Sequence, residues 1–341
     1  MDAGHLKLLT AGTGTAAVLG LSYISYWWHK KQPRVTQTQS IPVAKVTNLT
    51  VYPVASCSGI QVERATCTPR GIEFNGFGDR TFVIVEPNGK KVSGKEESCL
   101  VLIKPSVDES GFLTLNAPGM PPLRLDVRQR CNEASKLTVN VYGFDQVEAL
   151  DMGDEASEWI SHYLLKSGSK VEKVHLVHYP WTESQRRQRE FKAALNELKP
   201  QYQAHFARVS SFLMVNERSV EAFNEELRGK GNSAVTVGNF RPNITVDLCP
   251  PFAEETWSRF EINGMMFNLV MPATRCIFVN VNPNGQVCPD QPYLQLRNYH
   301  TLKEDKIPKF AKQGAPVMGI FVSSDQNGII SVGDTVYAVL Q

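Results

Sequence analysis

Between Val46 and Tyr142 the chain is a succession of short apolar, β-branched runs broken by turn residues, and no other feature constrains the fold as much. Runs this short suit strands, whereas a helix needs a longer apolar stripe to bury. Residues 46–54 read as extended. Residues 81–85 run into Pro87-Asn88-Gly89 and return through Lys91 and Val92, which predicts a hairpin. Residues 101–103, 112–115, 123–127 and 137–142 add further short strands with turns between them. Three helical patterns then interrupt. Residues 155–165 carry Trp159, Ile160, Tyr163 and Leu164 on one stripe. Residues 183–198 set basic Arg186, Arg187, Arg189 and Lys192 opposite Phe191, Ala194, Leu195 and Leu198, a solvated face. Asn216 caps a third helix that turns Val220, Phe223 and Leu227 inward. From Val235 the chain returns to strands, including residues 276–281, an Asn-Pro-Asn-Gly turn at 282–285, residues 317–322 and a closing run at 331–337. The expected fold class is mixed, β-dominated α+β, with two β-barrel-like domains joined by helices and a site at their junction.

With 42% hydrophobic and 21% charged residues and a net charge of +2, the chain has an ordinary globular balance, which argues against a nucleic-acid binder. The cysteines, at 57, 67, 99, 131, 249, 276 and 288, are odd in number and hold no Cys-x-x-Cys pair. Neither a disulfide framework nor a zinc ribbon is indicated, and a reducing compartment is the simpler reading. His175 and His178 have opposite parity in a strand-like run, so they face opposite ways and read as structural.

The 21 residues from Leu8 to Trp28 carry no charge, enough to span roughly 30 Å of hydrocarbon as a helix. They end in Tyr26-Trp27-Trp28 followed by His29-Lys30-Lys31, interfacial aromatics and then basic residues, which places the body on the cytosolic side of a single-pass anchor. A cleaved signal peptide has a shorter apolar core and a small-residue cleavage site. The sequons at Asn48 and Asn243 would be glycosylated in a secretory lumen, and a cytosolic body avoids that. Gly12-Thr13-Gly14-Thr15-Ala16-Ala17 fits a dinucleotide-binding pattern, but it has no strand before it and lies within the span.

Two segments carry chemistry. In Asn239-Phe240-Arg241-Pro242-Asn243 a proline stiffens the loop that presents an arginine, an arrangement suited to a phosphate. In Thr274-Arg275-Cys276 an arginine beside a cysteine favours the thiolate, a soft ligand for a redox metal. Together they suggest a phosphorylated metal cofactor.

In order and spacing these segments resemble the MOSC domain of the mitochondrial amidoxime-reducing components, membrane-anchored molybdenum enzymes, and the resemblance extends from about Val46 to Gln341. It implies an anchor over residues 1–28, a polar tether over 29–45, a MOSC N-terminal β-barrel domain with a following helix over 46–170 and a MOSC domain over 171–341. It implies that Cys276 ligates molybdenum held by a molybdopterin, and that Arg241, Arg80 and Ser56 contact the cofactor, with Asn243 as an orienter. Val209, Ser210, Thr274 and Arg275 complete the expected contacts. Ala55 stands where the family usually has lysine, so one cation is missing unless supplied elsewhere, for instance by Arg208. Phe321 stands where the family can have tyrosine. The implied activity is oxygen removal from N-hydroxylated compounds such as amidoximes and hydroxylamines, at the mitochondrial outer membrane with the body facing the cytosol. No haem-attachment motif, iron-sulfur cysteine cluster or dinucleotide fold is legible, so electrons must arrive from partners, which the resemblance implies are cytochrome b5 and its NADH-dependent reductase. The rival readings are a sulfur-carrying or cofactor-sulfurating MOSC protein and a non-enzymatic membrane adaptor with a degenerate site.

Overall fold

The structure, a computed structural model, describes residues 40–133, 135–141, 145–179, 210–301 and 314–339. The expected anchor at residues 8–28, the tether up to residue 39, the helix at 183–198, Arg208 and Val209 lie outside the described residues. Among the described residues no helix is long and apolar enough to cross a membrane.

The strands in the first half are β1 Ser40–Val51, β2 Ile60–Val62, β3 Arg64–Thr68, β4 Gly71–Phe74, β5 Phe77–Gly78, β6 Phe82–Val85, β7 Lys104–Val107, β8 Phe112–Asn116, β9 Leu123–Asp126, β10 Lys136–Val141, β11 Asp145–Asp151 and β12 His175–His178. The second half adds β13 Phe212–Asn216, β14 Ile244–Asp247, β15 Arg259–Ile262, β16 Met265–Thr274, β17 Val317–Ser323, β18 Gly328–Ser331 and β19 Thr335–Val339.

Seven strands close into a barrel in the order β14, β13, β17, β16, β15, β19 and β1, with β1 returning to β14 and β2 extending from β1. β1 makes closure possible by bending. Its first half pairs with β19 and its second with β14, and the register shifts between Pro42 and Ala44 and again between Val46 and Asn48. β13 and β14 are parallel. Their crossover contains helix Glu217–Gly229, whose cap Asn216 accepts from the Arg218 amide at 3.0 Å, and the loop that ends in Asn243. Inside the barrel Phe260 stacks on Phe267 at 5.4 Å, and Phe212 meets Phe267 edge-on.

Among the described residues the remaining strands pair as three smaller sheets. Their orders are β10-β11-β12-β6, β18-β3-β4-β5 and β7-β8-β9. Helix Asp154–Lys166 buries Trp159, Ile160, Tyr163 and Leu164 in their core, as its spacing predicts. The chain interleaves: β1 belongs to a barrel otherwise built from late strands, and late β18 joins early β3.

Further differences are local. β1 begins at Ser40, inside the stretch read as a tether, because β19 offers its edge there. The strands expected at 101–103 and 276–281 are instead 3-10 turns, Ser98–Leu102 and Ile277–Asn280. A short apolar run does not declare its own backbone, and tertiary hydrogen bonds decide it. At the second turn Asn239 Nδ2 donates to the Val279 carbonyl at 3.0 Å, and the Tyr293 amide donates to Asn280 Oδ1 at 2.8 Å. The run at 331–337 divides at Val332-Gly333 between β18 and β19.

Gly319 in β17 has φ +79°, and a Cβ there would lie 2.2 Å from the Met214 carbonyl oxygen of neighbouring β13. Gly319→Ala is expected to lose about 3 kcal/mol of stability, from left-handed strain plus a backbone clash. Gly168→Ala, at φ +84° in open space, carries only the strain, about 1 kcal/mol. Urea unfolding of both variants checks the contrast, and equal losses would show that the barrel wall yields.

Candidate functional site

The loop before β14 is fixed from inside. Asn239 Oδ1 accepts the Thr236 amide at 3.0 Å, and Phe240 is fully buried. Arg241 then takes φ +54°, a left-handed conformation that turns its side chain back under the chain. Its Nη2 donates to the Cys57 carbonyl at 2.6 Å, and its Cζ lies 4.3 Å from the centre of the Tyr52 ring. Arg80 approaches from the opposite half of the sequence, also left-handed at φ +53°, with its Cζ 4.9 Å from the same ring and Nη2 3.4 Å from the Arg241 carbonyl. Arg275 follows β16. Its amide donates to the Pro316 carbonyl at 2.8 Å and its Nη2 to the Phe240 carbonyl. Cys276, the next residue, is exposed.

Asp79 pairs with Arg80, and its charge also reaches Arg241. Its Oδ1 accepts from the Tyr52 amide and from Asn243 Nδ2, each at 2.9 Å, and its Oδ2 pairs with Arg80 Nη1. Burial lowers the Arg241 pKa, and Arg80 lowers it further. Arg275 falls to about 10, chiefly through burial, with the charge of Cys276 acting in the opposite direction. Like charges held together and partly out of water destabilise one another, and an anionic ligand relieves that repulsion. One donor remains for such a ligand: Arg275 Nε is buried and has no hydrogen-bond partner among the described residues.

Backbone strain marks the same place. Eight non-glycine residues among those described have positive φ, and three of them are Ser56, Arg80 and Arg241, all expected cofactor contacts. A cleft of about 440 Å3 opens beside Arg241, with Tyr52, Pro242 and Phe278 in its walls. Cys276 stands outside that lining, two residues from Phe278, so the cleft and the thiol flank the arginine cluster rather than coincide.

Other expected contacts are committed to the protein itself. Asn243 is buried; its Nδ2 also donates to the Thr50 carbonyl at 3.2 Å and its Oδ1 accepts the Leu213 amide at 3.1 Å. It orients Asp79 and thereby Arg80. Ser210 Oγ donates to the Val322 carbonyl at 2.6 Å, inside the barrel. Thr274 ends β16, paired with Val317. Ala55 is packed in an apolar cluster with Val83, Val85 and Val177, and half-buried Phe321 packs against the Leu213 cluster. Tyr52, Asp79 and Phe278 are site residues that spacing alone missed. Tyr52 and Asp79 do stand within the segments that carry Ser56 and Arg80, but a burial partner leaves no signal of its own in a sequence.

The residues present therefore fit a phosphorylated, multiply anionic group with a soft metal at one end. The comparisons with known proteins agree on the class. Residues 43–167 match the MOSC N-terminal beta barrel domain and residues 201–337 match the MOSC domain, which defines a MOSC-domain protein. Mitochondrial amidoxime-reducing component 1 of Xenopus laevis is 30% identical over 328 residues, 95% of this chain and 90% of that protein. Component 2 of Bos taurus is 30% identical over 92% of this chain and 88% of its own length, and component 1 of Homo sapiens is 30% identical over 96% and 91%. The chain belongs to the mitochondrial amidoxime-reducing component family.

Proposed function

We propose that this chain is a molybdenum-cofactor oxidoreductase that removes oxygen from N-hydroxylated compounds, amidoximes and hydroxylamines among them. The observation that carries the proposal is the cluster of three half-buried guanidiniums, with Arg275 Nε unpartnered, next to an exposed thiol. Arg241, Arg80 and Arg275 would hold the anionic, phosphate-bearing end of a molybdopterin, and Cys276 would ligate the metal. When bound, that group supplies the two-electron chemistry that exchanges an N–O bond for N–H, with two protons taken up and water released. The protein's part is positioning. Asn243 and Asp79 hold Arg80, the Cys57 carbonyl holds Arg241, and the Pro316 carbonyl fixes the backbone that delivers Cys276 to solvent, where a substrate reaches it.

The names of the relatives support a mitochondrial address, and the uncharged run at residues 8–28 supports an anchor that leaves the body facing the cytosol. Electrons would come from cytochrome b5 and its NADH-dependent reductase. The purified full-length protein is expected to contain about one molybdenum per chain, to be inactive toward benzamidoxime with NADH alone, and to turn over once both partners are added. A metal-free protein, active or not, would overturn the molybdenum assignment. Turnover with NADH alone would show a redox centre within the chain. One observation favours the adaptor reading: Ala55 lies inside an apolar cluster, so the cation the family usually has there is not restored at that position. Metal content separates that reading, and the sulfur-carrying one, from the enzyme.

A further inference from the structure

Tyr52 is buried, yet two cations crowd its ring, Arg241 Cζ at 4.3 Å and Arg80 Cζ at 4.9 Å from the centroid. Like charges drawn this close repel each other, as the depression of Arg241 by Arg80 records. The negative face of an aromatic ring attracts both, and that attraction is strongest where water is excluded. The backbone of the same residue reinforces the arrangement. The Tyr52 amide donates to Asp79 Oδ1 at 2.9 Å, and its carbonyl accepts the Arg80 amide at 2.6 Å.

Gly59 is an independent observation. It has no positive φ to explain a glycine, but a Cβ there would lie 2.4 Å from Thr50 Cγ2, 2.6 Å from Cε1 and 2.9 Å from Cδ1 of the Tyr52 ring. The ring occupies space that any larger residue at 59 would take.

We propose that Tyr52 is a positioning residue, whose ring is the shared platform that holds the Arg241 and Arg80 guanidiniums in place for the anionic end of the ligand, and that Gly59 keeps room for it. The proposal rests on the reading that these arginines take a phosphate-bearing group. It assigns the effect to the ring and not to the phenol hydroxyl, and it acts through the arginines.

The test uses full-length protein freed of cofactor and titrated with inorganic phosphate by calorimetry. Tyr52→Phe keeps the ring and is expected to bind within about twofold of wild type, whereas Tyr52→Leu binds about tenfold more weakly. In an Arg241→Ala background the effect of Tyr52→Leu shrinks to about threefold or less, because one of the two supported cations is gone. Gly59→Ala, made together with Thr50→Ser so that the only remaining close contact is the ring, displaces the ring without removing it and weakens phosphate several-fold relative to Thr50→Ser, which decides the matter if Tyr52→Leu does not fold. Wild-type affinity in Tyr52→Leu, together with unchanged affinity on adding Gly59→Ala to Thr50→Ser, overturns the platform, as does a Tyr52→Phe variant as weak as Tyr52→Leu, or an undiminished Tyr52→Leu effect without Arg241. If wild-type protein itself takes no phosphate, the anion reading of the arginines fails first and the platform falls with it.

Discussion

Cys276→Ala is expected to abolish the reduction of benzamidoxime and strip molybdenum from the protein, while the fold melts where cofactor-free wild type does. The expectation follows from position. Cys276 is exposed and makes no contribution to any core cluster, so its loss removes no buried apolar area. Its backbone would not move either. The Arg275 amide stays on the Pro316 carbonyl and the Val279 amide on the Cys276 carbonyl, bonds that alanine retains. What alanine lacks is the soft donor. Losing a residue that merely supports a metal ligand costs about 10- to 100-fold in metal affinity or activity, so losing the ligand itself should exceed that range. Metal analysis, reconstituted turnover and a thermal melt on one preparation check the three parts together. A Cys276→Ala protein with full metal content and turnover would remove the thiolate from the mechanism, and a melting temperature below that of cofactor-free wild type would show that Cys276 has a structural role.

Arg241→Ala is expected to lose cofactor without losing the fold. A charge-assisted hydrogen bond in a desolvated site is worth about 1.5 to 3 kcal/mol, or roughly 10- to 150-fold in affinity. Two effects oppose each other in the cofactor-free protein. The Cys57 carbonyl loses its 2.6 Å donor, but a half-buried cation crowded by Arg80 is removed. The net change in melting temperature is therefore small, and cofactor-free Arg241→Ala should be about as stable as cofactor-free wild type. Arg241→Lys retains the charge but not the planar fork that reaches both the Cys57 carbonyl and a phosphate, so it recovers only part of the occupancy. Arg228→Ala, on an exposed stretch of helix Glu217–Gly229 where the guanidinium pairs with Glu221, is the control and keeps full metal content. Equal molybdenum content in Arg241→Ala and Arg228→Ala would show that the loop before β14 does not anchor the cofactor.

Several parts of this molecule were legible before folding because their causes are local. Asn216 can cap a helix with its own side chain, and the 3.6-residue stripe of Val220, Phe223 and Leu227 says which way that helix faces. The alternating short runs around residues 112–127 declare strands through their period alone. The placement of Arg241 beside Pro242, and of Arg275 beside Cys276, was equally visible, since each pair is adjacent in the chain. Where local preference is weak, the reading failed. Residues 98–102 and 277–280 look like strand and are 3-10 turns, and β1 begins six residues earlier than the apolar pattern.

The sequence by itself determined a β-dominated chain with an arginine held beside a proline and a thiol next to an arginine, because propensity, periodicity and adjacency act over a few residues. Only the tertiary structure decided that β1 would cross to β14 and close a barrel of late strands, and that Arg80 would reach Arg241 across 161 residues of chain. It also decided which groups Asn243, expected as an orienter, would hold: Asp79, Thr50 and Leu213. The physical reason is the same in each case: burial sets the cost of an unpaired charge and the value of a hydrogen bond, and burial is a property of the assembled fold.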